Sequence, residues 1–205
     1  PNVHAVAVHA CPNGGDDLDK AIAELFQDAD LRGKGVTLGS VNSVNWCRVM
    51  VQAAHYFYSY LRALPSATHV GREAVFVVPT GAFGNLFGGS MARDLGLPVA
   101  NFVAANNANG TVHRLLTTGR FGSAPLQRTP SSAIDIILPY NLLRYLYFRS
   151  GGDAAQVRAL QDAFWGGEGA ALQPATWQAA RGNLLSCVVS DKETLGTMRR
   201  YHELG

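Results

Sequence analysis

The residues best suited to chemistry in this chain form a glycine-containing loop between an apolar run and a helical pattern. Residues 75–89 read VFVVPTGAFGNLFGG, which predicts a buried strand, a loop over residues 79–85 and a helix. Gly81 and Gly84 permit positive φ angles, so that several backbone N–H groups can point at one ligand. The helix adds unpaired N-terminal N–H groups and the positive end of its dipole. The loop therefore predicts a phosphate site, and the alternative is an ordinary tight turn.

The loop differs from two widespread phosphate-binding patterns. No Lys-Ser or Lys-Thr pair follows Gly84, so the segment is not a P-loop. The spacing of its glycines also fails the G-x-G-x-x-G pattern of dinucleotide binding. The residues alone therefore indicate a phosphate or a phosphorylated cofactor without saying which.

A second candidate anion site lies at residues 42–48, which read NSVNWCR. Asn42 and Ser43 are predicted to cap a long helix that ends near Leu64, and Arg48 follows on that helix. Amide, hydroxyl, free N–H groups and guanidinium could together bind a second anion. The alternative is a capped helix with a surface arginine, and the residues taken alone favour this alternative.

A third polar segment, residues 105–110, reads ANNANG and follows another apolar strand pattern. Ligands of open parallel sheets bind outside the carboxyl ends of the strands, where the glycine loop also lies. The two segments are therefore expected to border one cleft, although Asn and Gly are also common in simple turns. Asp135 is expected to fix a loop, because it has no identifiable catalytic partner.

The elements that must position these residues alternate between strand and helix patterns. This order predicts one α/β domain with a mostly parallel sheet and helices on both faces. Strands are predicted over residues 3–8, 36–41, 74–78, 99–105 and 184–189, and helices over residues 18–29, 43–64, 86–95, 111–118, 141–149, 154–164, 175–181 and 192–205.

Composition argues against several other classes of protein. The chain has 205 residues, of which 47% are hydrophobic, enough for a sizeable core. It has no basic run with interleaved aromatics, which argues against nucleic-acid binding, and no apolar stretch near the roughly 20 residues that span a membrane. Cys11, Cys47 and Cys187 are widely spaced, which favours a reducing compartment such as the cytoplasm and argues against a metal site.

The motifs occur together, in order, in one known family. The chain resembles threonine synthase and the threonine-synthase-like proteins, which are pyridoxal-phosphate enzymes of the tryptophan-synthase-β fold type (fold type II). The most specific segments are VNSVNWCRVMVQAAHYFYSYL, FVVPTGAFGNLFGG with MARDLGLPV, ANNANGTVHRLLTTGRF, and TPSSAIDI followed by Asn141 and Arg144. The resemblance implies that residues 1–205 form a central part of such an enzyme, incomplete at both ends. Most of the chain would belong to the large cofactor domain, with residues near 1–70 shared with the small-domain boundary.

The resemblance also implies roles for particular residues. The phosphate of pyridoxal 5′-phosphate would be bound by the glycine loop, at Gly81, Ala82, Phe83, Gly84 and Asn85. The phosphate of the substrate would be bound at Asn42, Ser43 and Arg48, which reverses the interpretation of that segment from its residues alone. The family usually has Asn at the position of Ala82. Binding of phosphate by backbone N–H groups would survive that change, but an amide contact to the cofactor ring would not.

The implied reaction converts O-phospho-L-homoserine and water to L-threonine and phosphate. The alternatives are a threonine-synthase-like phospho-lyase that releases 2-oxobutanoate and a non-catalytic phosphate-binding interaction module; Ala82 favours these two. In the family, the lysine that forms a Schiff base with the cofactor lies upstream of the matching region. The partner of the pyridine nitrogen lies downstream of it. No catalytic residue is therefore expected in this chain, because the contexts of Lys20, Lys34 and Lys192 do not suit that role. The chain alone is expected to be inactive, and the enzyme to be a monomer or a homodimer.

Overall fold

The computed structural model describes residues 3–9, 11–12, 16–35 and 37–205, and helices and strands alternate through most of them. Short 3-10 turns lie at Ala67–His69 and Ser132–Ile134. In chain order the elements are α1 (Asp16–Gln27), α2 (Ala29–Gly33), α3 (Trp46–Ala63), β1 (Ala74–Pro79), α4 (Gly84–Asp94), β2 (Val99–Asn106), α5 (Thr111–Thr118), β3 (Arg120–Phe121), α6 (Tyr140–Arg149), α7 (Ala154–Trp165), β4 (Ala170–Ala171), α8 (Pro174–Arg181), β5 (Leu184–Val188) and α9 (Asp191–Glu203).

A three-stranded parallel sheet with the order β1-β2-β5 forms the centre of the fold. Successive side chains of the strands point to opposite faces. Val78, Phe102 and Leu184 are buried in the core, whereas Val75, Val77 and Leu185 are exposed. Phe76 lies beside Phe102, which in turn lies beside Leu184. The short strands β3 and β4 pair separately in antiparallel fashion. The predicted α/β class with a mostly parallel sheet is confirmed.

An aromatic cluster joins the sheet to α3 and thereby positions α4. The ring of Tyr56 on α3 lies 4.9 Å from that of Phe76 and 5.8 Å from that of Phe102, measured between centroids. A Cβ at Gly89 on α4 would lie 2.6 Å from the Tyr56 ring, so only glycine permits this close packing. Burying each large side chain here contributes about 1.5–3 kcal/mol. The start of α4, and with it the glycine loop, is therefore held on a rigid support.

Two of the predicted strands are wrong. Residues 3–9 have no regular secondary structure, and Val3 and Val6 are 84% and 88% exposed. Residues 37–41 also lack regular structure, while Val36 lies outside the described residues. An apolar run becomes a strand only when a neighbour completes its hydrogen bonds, and the described sheet offers none to these segments.

The other predicted elements are present, with ends that differ by a few residues. The difference that matters for function is at α4, which begins at Gly84, two residues earlier than predicted. Gly84 and Asn85 are therefore part of the first helical turn, where backbone N–H groups have no intrahelical acceptor.

Candidate active site

The glycine loop is anchored at its start by β2. The N–H of Thr80 donates to the carbonyl oxygen of Ala105 at 2.8 Å, and its hydroxyl donates to the carbonyl oxygen of Val78 at 2.7 Å. At its other end, Phe83 adopts a left-handed conformation with φ of 66° and precedes the first residue of α4. Positive φ is uncommon outside glycine and often marks functional loops. The backbone between these two points is therefore held in a defined path.

The loop presents a row of backbone donors. None of the N–H groups from Gly81 through Asn85 donates to an acceptor within the described part of the chain. The last two belong to the first turn of α4, where the helix dipole is positive. Five consecutive N–H groups at this end of a helix form an environment that favours a bound anion.

Close packing on both sides explains the two glycines of the loop. A Cβ at Gly81 would lie 2.9 Å from Cα of Ile134. A Cβ at Gly84 would lie 2.9 Å from the hydroxyl oxygen of Ser43 and 3.1 Å from the carboxamide nitrogen of Asn141. The loop is thus confined between the turn that contains Ile134 and the segment that contains Ser43.

The glycine loop and the Asn-rich segment border one cleft, as predicted. The cleft is lined by residues from both loops and from the turn around Ile134. Its lining residues include Thr80, Gly81, Asn107, Asn109, Gly110 and Ile134. The carboxyl ends of β1 and β2 therefore open into the same space, as in other open parallel sheets.

A buried polar cluster shapes the far wall of this cleft. The carboxylate of Asp135, which is 8% exposed, accepts hydrogen bonds from the Thr129 hydroxyl at 2.7 Å and the Thr129 N–H at 3.0 Å. It also accepts from the carboxamide nitrogens of Asn107 at 2.7 Å and Asn109 at 3.3 Å. These bonds confirm that Asp135 fixes a loop. The carboxamides of Asn107 and Asn109 both help to hold that loop.

The second predicted anion motif differs from its prediction in one respect. The N-cap of α3 is Asn45, whose side chain accepts from the N–H of Cys47 at 3.0 Å, so the predicted caps Asn42 and Ser43 are wrong. Residues 42–45 form a turn closed by a bond from the Asn45 N–H to the Asn42 carbonyl oxygen at 2.9 Å. The turn places the capping side chain two to three residues later than the sequence pattern indicated.

Ser43 is buried and hydrogen-bonded to the start of α6. Its hydroxyl lies 2.9 Å from the Tyr140 hydroxyl and accepts from the Asn141 carboxamide at 3.0 Å. The Tyr140 hydroxyl also donates to the side-chain oxygen of Asn42. Arg144 donates to the carbonyl oxygens of Ser43 at 2.8 Å and Val44 at 2.6 Å. One face of α6 therefore holds the whole segment from Asn42 to Val44.

Positive charge surrounds this segment. Arg48 is exposed in the first turn of α3 and donates to the carbonyl oxygen of Val41 at 3.0 Å. Burial lowers the pKa of Arg144 below its ordinary value. An arginine nevertheless stays charged near neutral pH, because its ordinary pKa is so high. Two guanidinium groups thus flank the turn at Asn42 and Ser43.

The two candidate anion sites contact each other. Besides the contact between Gly84 and Ser43, the N–H of Asn141 donates to the carbonyl oxygen of Ala82 at 3.3 Å. Asn141 is fully buried and bonds to Ser43 through its side chain. The structure therefore brings together all of the predicted phosphate-binding segments at the start of α6. Such an arrangement suits two anionic groups held close together.

Sequence reasoning missed two tyrosines at these sites. Tyr56 donates to the side-chain oxygen of Asn85 at 2.6 Å, and Tyr140 bonds to Asn42 and Ser43. Both contacts join residues that are far apart in the chain, so no local pattern shows them. The only sequence signal was the helical spacing of Tyr140 and Arg144, which places both on one face of α6.

Other candidate groups lie outside the cleft lining or fail to cluster. Lys34 and Lys192 are exposed, and the side chain of Lys20 lies outside the described residues. Within the described ranges, His, Cys, Asp and Glu side chains do not gather in threes as a metal site would require. None of the helices described is both long and apolar enough to cross a membrane.

Comparison with solved structures defines the class of protein. A threonine synthase from Brucella melitensis, described as bound to PLP, matches with a TM-score of 0.80 and 31% identity over 94% of this chain and 40% of its own. Threonine synthase from yeast matches with a TM-score of 0.77 and 27% identity over 92% of this chain and 38% of its own. The chain therefore has the fold type II architecture of the tryptophan-synthase-β class.

Sequence comparison identifies the family, although no family model matches the chain. Threonine synthase-like 2 of Xenopus laevis is 36% identical over 202 residues, covering 98% of this chain and 41% of the relative. Threonine synthase of Pseudomonas aeruginosa is 34% identical over 201 residues, with the same two coverages of 98% and 41%. The chain belongs to the threonine synthase and threonine-synthase-like family. It spans about two fifths of the length of these relatives, at 41% of each.

Proposed function

We propose that this chain is part of a pyridoxal-phosphate-dependent enzyme that converts O-phospho-L-homoserine and water to L-threonine and phosphate. The observation that carries the proposal is the row of free N–H groups from Gly81 to Asn85, packed directly against the turn at Asn42 and Ser43. The two anions would be the phosphate of the cofactor and the phosphate of the substrate. The relatives named threonine synthase support the reaction, and the one bound to PLP supports the cofactor.

The cofactor phosphate is assigned to Gly81, Ala82, Phe83, Gly84 and Asn85. Each residue offers a backbone N–H without an acceptor in the described ranges, and the positive end of α4 favours a dianion. Ala82 contributes through its backbone only. Pyridoxal phosphate, when bound, supplies an electron sink for carbanions formed on the substrate. The loop itself would bind and orient the phosphate end of the cofactor.

The substrate phosphate is assigned to Asn42, Ser43 and Arg48. Arg48 is exposed beside the turn and offers a guanidinium that can donate two parallel hydrogen bonds to phosphate oxygens. The contact between Gly84 and Ser43 would set the spacing between substrate and cofactor. We also propose that the chain belongs mostly to the large cofactor domain, with residues near 1–70 at its boundary with the small domain.

Replacing Arg48 with alanine tests the substrate site. We expect the KM for O-phospho-L-homoserine to rise roughly 10- to 150-fold in the complete enzyme, because hydrogen bonds to charged groups contribute about 1.5–3 kcal/mol. The absorbance of the bound cofactor should stay unchanged. Arg62→Ala is the matched control, because Arg62 is an exposed arginine in the last turn of the same helix. Loss of the cofactor from the Arg48→Ala enzyme would contradict the assignment.

The Schiff-base lysine is proposed to come from outside these 205 residues. The complete enzyme should absorb above about 400 nm, because a lysine forms a Schiff base with the cofactor. Borohydride should reduce this Schiff base and link the cofactor covalently to the enzyme. The 205-residue chain, incubated with the cofactor in the same way, should show no covalent linkage. Covalent linkage to Lys20, Lys34 or Lys192 would overturn this part of the proposal.

A second candidate function is a phospho-lyase that releases 2-oxobutanoate from the same substrate. The observation that favours it is Ala82, a side chain that cannot offer the cofactor ring an amide contact. The chain is also as similar to relatives named Threonine synthase-like 2 as to those named threonine synthase. Product analysis with O-phospho-L-homoserine separates the two, because only one of them gives L-threonine. An enzyme that retains no cofactor would instead point to a non-catalytic phosphate-binding module.

A further inference from the structure

The hydroxyl of Tyr140 lies at the centre of the turn assigned to the substrate phosphate. It is 2.9 Å from the Ser43 hydroxyl and donates to the side-chain oxygen of Asn42. Tyr140 is the first residue of α6, and its side chain is half-buried. None of the ligand groups assigned above includes this hydroxyl, although it contacts two of the three residues.

The hydrogen bonds around Tyr140 have one consistent direction. The Asn141 carboxamide donates to the Ser43 hydroxyl, so the Ser43 proton is left to donate to the Tyr140 oxygen at 2.9 Å or to the more distant side-chain oxygen of Asn42 at 3.4 Å. Tyr140 then donates its own proton to the side-chain oxygen of Asn42. With its oxygen engaged in this way, the Asn42 carboxamide presents its NH₂ group, which has two donors, elsewhere. In this orientation the Asn42 carboxamide can donate its N–H groups to a phosphate, whereas the opposite orientation would place its oxygen against the negative charge.

Burial keeps the Tyr140 hydroxyl protonated. Burial raises the pKa of Tyr140 above its ordinary value of 10.0, and the charge of Asp19 raises it further. The bond to Ser43 and the positive charges of Arg48 and Arg144 oppose this shift without cancelling it. The group is therefore a neutral donor near pH 7, and it adds no negative charge beside a phosphate.

We propose that Tyr140 is a positioning residue for the substrate phosphate, and that its hydroxyl orients the Asn42 carboxamide and the Ser43 hydroxyl. This inference rests on the assignment of Asn42, Ser43 and Arg48 to that phosphate. Without the hydroxyl, the Ser43 proton loses the nearer of its two acceptors, and the Asn42 oxygen keeps only the 3.4 Å bond from Ser43, which holds the Asn42 carboxamide less firmly. The ligand class is an alkyl phosphate monoester or inorganic phosphate.

The test is Tyr140→Phe in the complete enzyme, which keeps the ring and removes only the hydroxyl. We expect the KM for O-phospho-L-homoserine and the inhibition constant of inorganic phosphate to rise together, by about fivefold to tenfold, as the loss of one hydrogen bond predicts. The value of kcat and the absorbance of the cofactor should stay within about twofold, because one lost bond at the substrate phosphate leaves the bonds to the cofactor in place. A merely structural role would lower the unfolding temperature without this division between KM and kcat.

Two further variants make the outcome decisive. Tyr147→Phe is the matched control, since Tyr147 lies on the same helix, is exposed, and its hydroxyl bonds to nothing within the described residues. If Arg48→Ala raises KM while Tyr140→Phe leaves it unchanged or lowers it, the inference about Tyr140 is overturned and the phosphate site stands. If neither variant raises KM, the substrate-phosphate assignment fails, and the inference fails with it.

Discussion

Replacing Gly81 with alanine should weaken cofactor binding through a steric effect on one loop. The new Cβ would lie 2.9 Å from Cα and 3.0 Å from Cβ of Ile134, and 3.2 Å from Cδ1 of Ile136. Two of these atoms belong to the backbone or lie next to it, so they cannot move aside as the end of a flexible side chain would. The turn around Ile134 is also held by the bonds of its neighbour Asp135. We therefore expect the glycine loop, rather than the turn, to shift.

The size of the effect follows from the cost of overpacking. Inserting one methyl group into a packed site costs about 1–3 kcal/mol. If the loop moves to relieve the contact, its N–H groups leave their positions, and the binding free energy of the phosphate decreases by this amount. At about 1.4 kcal/mol for each factor of ten, the dissociation constant of pyridoxal phosphate should rise roughly 5- to 150-fold. If the loop does not move, the same free energy is lost from the stability of the folded protein.

Two measurements distinguish these routes. Titration of the complete protein with pyridoxal phosphate, followed by absorbance, gives the dissociation constant, and urea unfolding without cofactor gives the stability. Gly196→Ala is the matched control, because Gly196 lies within α9 and a Cβ there meets nothing within 4 Å. An exposed helical Gly→Ala change should leave cofactor affinity unchanged and raise stability by about 0.5–1 kcal/mol. A Gly81→Ala protein with unchanged affinity and unchanged stability would refute the packing argument.

Two further predictions concern the supports of the site and of the fold. Asp135→Asn removes the buried charge that accepts from Thr129, Asn107 and Asn109, and it should lower the free energy of unfolding by about 2–3 kcal/mol in urea. An unchanged midpoint would contradict the role of Asp135. Ser190→Ala removes the capping box of α9 and should cost about 1 kcal/mol in thermal unfolding. The Ser190 hydroxyl also donates to the Glu193 carboxylate at 2.6 Å, and the bonds from Ser190 lower the pKa of Glu193 below its ordinary 4.5. The stability that the ionised carboxylate contributes through this hydroxyl bond should therefore be lost as pH falls through the lowered pKa. Equal losses at pH 7 and at a pH low enough to protonate Glu193 would argue against it.

The parts of the fold that sequence predicts well are those set by local pattern. The segment from β1 to α4 combines a continuous apolar strand, two glycines and a helical repeat, so the type of each element is decided within about fifteen residues. The shared cleft of Gly81 and Asn107 was also predictable, because the carboxyl ends of parallel strands lie at one edge of a sheet.

The parts that sequence could not predict depend on contacts between distant segments. The bond between Ser43 and Tyr140 joins residues 97 positions apart, and no spacing rule shows it. The cap of α3 was placed wrongly because Asn42, Ser43 and Asn45 are all good caps, and the bond that selects Asn45 depends on the local turn. The apolar residues 3–8 resemble a strand, but a strand also needs a neighbour.

The most direct test of the central claim is a crystal structure of the complete protein with pyridoxal phosphate bound. We predict that the phosphate of the cofactor accepts hydrogen bonds, at about 2.7–3.2 Å, from backbone N–H groups between Gly81 and Asn85. The turn at Asn42 and Ser43 should remain open to a second anion. A cofactor phosphate bound at Asn42, Ser43 and Arg48, or away from both segments, would contradict the account.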